Sequence, residues 1–331
     1  MKTETISISC ASDHNYLCGL WVTMHSICKH CSPGNILHFH ILDCGLTLDD
    51  ICRLKVLETT FTHCSVTLQF HIVSLDAFED APTWRGNHVT YARLLLQDIL
   101  KDEDFTIYTD IDTLWLHDVA TLWAMRSQES VLWGATDGSG VKLLSFGEKR
   151  LADFKACGKT LQPQDYFCAG LVMLNLKRLR EMRFTTLATQ ALKTFSSCLQ
   201  FADQDLYNLL IQRDALQYLD FRWGEFAQVY GRRGLEHSVV IHYANSAPWK
   251  FKPTFANSLW WNYLCDEARF SVFGPDAKKW QWRSIKFRLA YRLRRSWFLS
   301  CFARWWNRRS AKKNAYYLAP MKYPLVQEEC Y

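Results

Sequence analysis

Phe105-Thr106-Ile107-Tyr108-Thr109-Asp110-Ile111-Asp112-Thr113-Leu114-Trp115-Leu116 is the stretch from which the rest of the chain is read. A β-branched and aromatic run ends in two carboxylates separated by one apolar residue, and apolar chain resumes at once. In an extended segment residues i and i+2 point the same way. Asp110 and Asp112 are therefore expected to project together from a strand end, with Ile111 turned back into the core. Two like charges that close repel, and burying them unpaired is expensive. A hard divalent cation with oxygen ligands is the economical partner for such a pair. Taken alone, the pattern fits a strand end followed by a solvated turn equally well, because Asp is common in turns.

Outward from this stretch, the first half of the chain alternates strand and helix signals. Thr5–Cys10, Ile36–Leu42, Val66–Val73 and Phe105–Thr109 read as strands. Tyr16–His30, Leu48–Thr59 and His88–Leu100 read as helices, the second opened by Thr47 as N-cap with Asp49 and Asp50 in its first turn. That order predicts a largely parallel sheet with helices on both faces. Ligands bind such sheets beyond the carboxyl ends of the strands. Asp13-His14-Asn15-Tyr16 and Asp110-Ile111-Asp112 both fall there, which favours the metal reading. Further on, Val131–Thr136, Cys168–Leu176 and Ser238–Tyr243 are expected strands and Asp203–Arg213 an expected helix. No internal repeat or Pro/Gly-rich linker precedes residue 270, so a single domain with an appended tail is the simplest parse.

Composition narrows the class. The chain has 331 residues, 49% hydrophobic and 22% charged, which excludes general disorder. Its net charge of +6 hides an asymmetry. Thirteen Lys or Arg and no Asp or Glu lie between Lys278 and Lys313, leaving 26 basic against 33 acidic residues elsewhere. The chain is an acidic body with a basic tail. Its 13 cysteines are scattered, many inside apolar runs such as those holding Cys10, Cys18 and Cys28, and read as small buried hydrophobes in a reducing cytosol. Cys28-Lys29-His30-Cys31 followed by His38 and His40 suggests zinc at first sight. However, His38-Phe39-His40 alternates like a strand and no second Cys pair stands at finger spacing, so zinc is not adopted here. Met1-Lys2-Thr3-Glu4 leads directly into a strand pattern, so no secretory leader is expected, and no apolar window reaches membrane-span length.

Six segments recur in a fixed order: Ala11-Ser12-Asp13-His14-Asn15-Tyr16, Tyr91-Ala92-Arg93, Tyr108-Thr109-Asp110-Ile111-Asp112, Tyr166-Phe167-Cys168-Ala169-Gly170, Asp203-Gln204-Asp205, and Ile241-His242-Tyr243 with Pro248-Trp249. In order and spacing they resemble glycosyltransferase family 8, the bacterial lipopolysaccharide galactosyl- and glucosyltransferases and their glycogenin and galactinol-synthase relatives, over roughly residues 5 to 250. The resemblance implies an α/β GT-A nucleotide-diphospho-sugar transferase fold with a mostly parallel central sheet flanked by helices. It divides the chain into a catalytic domain, 1–270, and a basic, aromatic-rich helical tail, 271–331. It implies Mn²⁺ (or Mg²⁺), a UDP-galactose or UDP-glucose donor, and transfer with retention of anomeric configuration. On this resemblance Asp13 and Asn15 hold uracil and ribose, Tyr16 stacks on the base, and Arg93 pairs with the diphosphate or donor sugar. Asp110, Asp112 and His242 ligate the metal, Asp203 binds donor hydroxyls, and Gln204 lies near the anomeric carbon; Asp203 and Gln204 are the catalytic pair. Ala11, Ile111, Cys168, Ala169 and Asn245 complete the implied donor site.

The residue types suit that chemistry. Cleaving the anomeric bond leaves negative charge on the diphosphate and positive charge on the sugar. A metal and a planar guanidinium serve the first, and oxygen dipoles serve the second. Each residue also has an ordinary reading: Tyr16 as the first core residue of its helix, Arg93 as a solvated helix residue, His242 as a satisfied core histidine, and Asp203 as an N-cap. The chain departs from the family pattern at Cys168, where many relatives carry Asn. It departs again at Asn245 and Ala247, which replace a Gly and the phosphate-contacting Lys of a His-Tyr…Gly…Lys-Pro-Trp motif. The acceptor expected is a lipopolysaccharide core or lipid-linked oligosaccharide. Glucosyl transfer to a protein or soluble polyol, and a catalytically inactive sugar-nucleotide-binding relative, are the alternatives.

In the tail, the cations interleave with Trp280, Trp282, Phe287, Tyr291, Trp297, Phe298, Phe302, Trp305 and Trp306. That mixture suits an anionic lipid surface, with aromatics at headgroup level and cations on phosphate. Nucleic acid is the rival ligand for such a segment, and the acidic body argues against it. A cytoplasmic protein peripheral to the inner face of the cell membrane is expected. Deleting residues 278–331 should move the protein from the membrane fraction to the soluble one; salt-sensitive membrane association that survives the deletion contradicts this reading.

Overall fold

In the computed structural model Thr5–Ser12 buries both of its faces: Ile6, Ile8 and Cys10 on one, Ser7 and Ser9 on the other. A strand with two buried faces belongs at the middle of a sheet covered on both sides. The structure describes residues 3–83, 86–136, 148–162, 165–196, 199–227, 238–244, 247–250 and 255–264, with Trp282, Ile285, Lys286 and Leu289. Ten strands follow in chain order: β1 (Thr5–Ser12), β2 (Ile36–Asp43), β3 (Ser65–Ile72), β4 (Phe105–Thr109), β5 (Thr113–Trp115), β6 (Leu132–Thr136), β7 (Phe167–Asn175), β8 (Leu216–Leu219), β9 (Glu225–Phe226) and β10 (Val240–His242). The main sheet runs β3-β2-β1-β4-β7-β6-β8, and β5-β10-β9 form a small second sheet.

The mostly parallel sheet expected from the sequence is present. β3, β2, β1 and β4 pair in parallel, as do β6 and β8, while β7 runs antiparallel to both of its neighbours. The reversal matters for function. It brings the start of β7, at Phe167–Gly170, to the same end of the sheet as the last residues of β1 and β4. One apolar layer joins Ile6, Ile8, Leu37 and Phe39 to Leu20, Trp21 and Met24. The opposite layer joins Leu42 and Val172 to Tyr91, Leu94, Leu206 and Tyr207.

The helix Leu17–His30 shows how local sequence positions the site. It is buried from Leu17 to Cys28, yet carries Thr23 and Ser26 amid apolar residues. Thr23 Oγ1 donates to the carbonyls of Ile111 (3.1 Å) and Thr113 (2.9 Å), and Ser26 Oγ accepts from Trp115 N–H (3.1 Å). These hydroxyls satisfy backbone groups at the edge of β5 that would otherwise be buried unpaired. Gly19 lies against the same chain: a Cβ there would sit 2.7 Å from the Ile111 carbonyl and 3.0 Å from the Trp249 ring.

Three expected helices differ in detail. Tyr16–His30 begins with a 3₁₀ turn, His14–Tyr16, before the α-helix. Leu48–Thr59 breaks at Val56 into Leu48–Lys55 and Leu57–Thr60, its start held by the expected Thr47 cap in a reciprocal capping box with Asp50. His88–Leu100 is 3₁₀ over Val89–Leu95 and α only over Leu96–Ile99. Three residues per turn aligns positions i and i+3, and Thr90 and Arg93 consequently face the same cleft. Among the described residues no helix is long and apolar enough to cross a membrane. The tail expected over 271–331 lies outside the described residues except at Trp282, Ile285, Lys286 and Leu289.

Candidate active site

The carboxylates of Asp110 and Asp112 do converge, but through a turn rather than through extended chain. β4 ends at Thr109, residues 110–112 turn, and β5 begins at Thr113. Thr113 Oγ1 closes the turn by donating to the Asp110 carbonyl (2.8 Å). β5 pairs antiparallel with β10, with Thr113 opposite His242, and Tyr243 N–H donates to the Asp112 carbonyl (2.8 Å). Strand register thus delivers His242 to the acidic turn. Its Nε2 lies 3.2 Å from Asp112 Oδ1 and 3.7 Å from Asp110 Oδ2. One ligand atom from each of the three residues fits within a mutual 4.8 Å.

The His242 ring is fixed on every side. Phe226 stacks on it with centroids 5.4 Å apart, and Cys168 Sγ lies 3.5 Å from Nδ1. Gly170 is essential to the fit, since a Cβ there would come within 2.3 Å of the ring Cε1. Burial alone would depress the imidazole pKa, but the Asp112 carboxylate overrides it and holds the ring well above its ordinary value. Burial raises Asp110, opposed by the Arg93 guanidinium and reinforced by Asp112.

Arg93 is the second organising group. It is 5% exposed, so it is not a solvated helix residue. Its guanidinium donates to Asp110 Oδ1 (2.6 Å) and to the Ala169 carbonyl (2.5 Å), and Nε lies 3.0 Å from Asp203 Oδ2. The cation also sits over the Tyr108 ring, 4.3 Å from its centroid. In this structure, then, its partners are two site carboxylates, the Thr90 carbonyl and a β7 carbonyl. Asp203 stands in the first turn of the helix Ala202–Leu210 rather than capping it. The preceding peptide N–H groups, of Gln200 and Phe201, donate instead to Asp205 Oδ2 (2.6 and 2.7 Å). Ala202 adopts φ 46°, a left-handed conformation costly for a residue with a Cβ, immediately before Asp203 and Gln204. Burial pushes Asp203 up to about 7 against the pull of Arg93, and Asp110 adds to the rise. Gln204 is held at both ends: its Oε1 accepts from Ala169 N–H (3.1 Å) and its Nε2 donates to Tyr166 Oη (2.9 Å).

These groups surround one open cleft at the carboxyl end of the sheet. Ala11, Tyr16, Arg93, Asp110, Ile111, Asp112, Cys168, Asp203, Gln204 and His242 line it. Tyr16 is half-buried and meets Trp249 edge-on at 5.9 Å, so it is a cleft residue and not a core one. Ala169 backs the cleft through its contacts with Arg93 and Gln204. Asp13 and Asn15 are not among its lining residues; Asp13 Oδ1 accepts from Asn15 N–H (2.8 Å) and caps the 3₁₀ turn. Asn245 lies outside the described residues. The structure adds Asn87, Val89, Thr90 and Phe201, whose sequence surroundings carry no chemical signal. The Cys28–Cys31 pair does not meet His38 and His40: Cys28, near the end of the helix Leu17–His30, and Cys31, just after it, face the core layer, and the two imidazoles meet Glu103 instead.

Two carboxylates and one imidazole make a donor set suited to a first-row divalent ion. The packing fits such an ion as well, since two acidic side chains face one another with one imidazole between them.

Comparison with known proteins identifies the family and the fold. The sequence model of Glycosyl transferase family 8 matches residues 7–252, about three quarters of the chain. A relative from Haemophilus influenzae is 27% identical over 208 residues, 62% of this chain and 59% of the relative. General stress protein A of Bacillus subtilis is 26% identical over 236 residues, 69% of this chain and 76% of that protein. Among solved structures, the galactosyltransferase LgtC in complex with donor and acceptor sugar analogues superposes with TM-score 0.62 at 20% identity, covering 86% of this chain and 96% of LgtC. The bifunctional glycosyltransferase WbbM gives TM-score 0.66 at 18% identity, covering 81% of this chain and 51% of WbbM. The chain therefore spans little more than half of the Haemophilus relative and of WbbM. The fold is the GT-A fold of these glycosyltransferases.

Gly170→Ala should displace the His242 ring and weaken divalent-ion binding by about 10- to 100-fold, the cost typical of losing a group that orients a metal ligand. Calorimetric titration with Mn²⁺ checks this, with circular dichroism to confirm folding. Unchanged affinity would show that the close fit is dispensable.

Proposed function

Because the chain belongs to glycosyl transferase family 8, we propose that it is a glycosyltransferase that moves galactose or glucose from a UDP-sugar to a glycan acceptor with retention of anomeric configuration. The observation that carries this reading is the meeting of Asp110, Asp112 and His242, from distant parts of the chain, in a cleft that also holds Arg93, Asp203 and Gln204. Asp110, Asp112 and His242 would hold Mn²⁺. When bound, the ion supplies positive charge to a leaving diphosphate.

The chain's own residues do the rest. Arg93 ties Asp110 to Asp203 and so fixes the distance between the metal side and the sugar side of the cleft. Asp203 and Gln204 present oxygens where an oxocarbenium-like sugar develops positive charge, and Tyr166 and Ala169 keep the Gln204 amide from swinging away. Tyr16, beside Trp249, offers an aromatic surface to the uracil. Cys168 faces His242 rather than standing alone as a sugar contact, so the thiol in place of the family's amide acts first on the metal-binding imidazole.

The acceptor proposed is a lipopolysaccharide core or lipid-linked oligosaccharide, and the basic aromatic tail is the segment that would hold the enzyme at an anionic membrane. Both readings rest on sequence composition and resemblance.

The test is release of UDP from a panel of UDP-sugars in the presence of Mn²⁺ and without acceptor. Slow hydrolysis of UDP-galactose or UDP-glucose is expected, and Asp112→Asn should lower it on the order of 100-fold or more. No release from any UDP-sugar, or full turnover in the variant, overturns the reading.

A further inference from the structure

At the opposite end of the sheet lies a second group of metal-ligating side chains that the glycosyl-transfer site does not use. His38 and His40 sit two residues apart on β2 and therefore share a face. Glu103 precedes β4 by two residues, so roughly 20 Å of extended chain separates it from Asp110. β1 lies between β2 and β4, and opposite His38 and His40 it carries Ser7 and Ser9. Those small residues leave room for longer side chains from β2 and from the approach to β4 to meet above them. The meeting is close: Glu103 Oε1 lies 3.5 Å from His40 Nε2 and 3.8 Å from His38 Nδ1, and the three ligand atoms lie within 4.8 Å of one another.

We propose that His38, His40 and Glu103 form a second divalent transition-metal site, separate from the donor cleft, in which a zinc-class ion is held by two imidazoles and one carboxylate with a further position open to water. Three observations support it. First, His40 is 3% exposed, and its Nε2 is buried without a hydrogen bond although it points at Glu103. Buried polar atoms are nearly always partnered, so this nitrogen is short of a ligand. Second, His40 Nδ1 lies 3.1 Å from His71 Nε2. A metal-ligating histidine characteristically donates its other N–H to a fixed acceptor, and His71 supplies one that leaves the Nε2 lone pair facing Glu103. Third, His38 and Glu103 are 27% and 30% exposed, which gives an ion a way in.

Such an ion would tie β2 to the entry of β4 across β1, the strand that carries Ala11 and Ser12 to the donor cleft. Its role would be structural. The inference does not depend on the donor reading, and the test keeps the two apart.

Metal-stripped full-length protein is titrated with Co²⁺ and followed by visible absorption, and its thermal midpoint is measured with and without Zn²⁺. The wild type, Asp112→Asn, His38→Gln and Glu103→Gln are compared. One Co²⁺ equivalent lacking thiolate charge-transfer absorption should bind to Asp112→Asn, and wild type should bind that equivalent in addition to the one taken by its donor cleft. The affinity of the shared equivalent should fall at least ~10-fold in His38→Gln and in Glu103→Gln. Zn²⁺ should raise the midpoint of wild type but not of Glu103→Gln, whose circular dichroism and UDP-sugar hydrolysis should match wild type. Absence of Co²⁺ binding in Asp112→Asn, a thiolate signature, or affinity indifferent to both His38→Gln and Glu103→Gln would overturn the proposal.

Discussion

Charge balance around Arg93 is the constraint on which the rest of the structure depends. Asp110, Asp112 and Asp203 converge on one cleft, and a buried guanidinium bridges the first to the third. Without it, buried Asp203 would lose its guanidinium partner and Asp110 would keep only the more distant His242 imidazole, a loss on the order of 3–5 kcal/mol for a broken buried pair. Arginine suits this position better than lysine because its planar fork reaches two acids and a carbonyl at once. One guanidinium still leaves Asp112 balanced chiefly by His242. That remaining acidity would suit a divalent ion.

Topology turns this local demand into a site. The reversed strand β7 and the short β5–β10 pair deliver Gly170 and His242 to the end of the sheet where β1 and β4 finish. Thr23 and Ser26, polar residues in a buried helix, hold the backbone of the acidic turn and of β5. Gly19 and Gly170 give the close approaches that a Cβ would forbid, one to the Ile111 carbonyl and one to the His242 ring. The cleft is therefore held in shape by packing contacts as well as by its functional side chains.

Much of this was legible in the sequence because strand and helix periodicity is local. The β1-to-β4 half, the Thr47 cap and the placing of acidic residues at strand ends follow from patterns within a dozen residues. The direction of β7 was not legible, since a fully buried strand reads as the same apolar run whether parallel or antiparallel. The three-residue strand β5 is too short to show alternation, so the pairing of Thr113 with His242 had no local signal and only family resemblance pointed to that histidine. The buried partners of Arg93, and the approach of Glu103 to His38 and His40 from another strand, are tertiary facts with no spacing to betray them. Asp13 was legible as a residue at a strand end, but its carboxylate caps the local turn instead of lining the cleft.

The central claim is that Asp110, Asp112 and His242 act together as one cation site beside Arg93. Anomalous diffraction from a crystal grown with Mn²⁺ and UDP tests it most directly. The account predicts a manganese peak within bonding distance of all three side chains, with the UDP diphosphate completing the coordination and Arg93 still bridging Asp110 and Asp203. Those three side chains turned away from one another, with UDP bound elsewhere and no manganese between them, would contradict it.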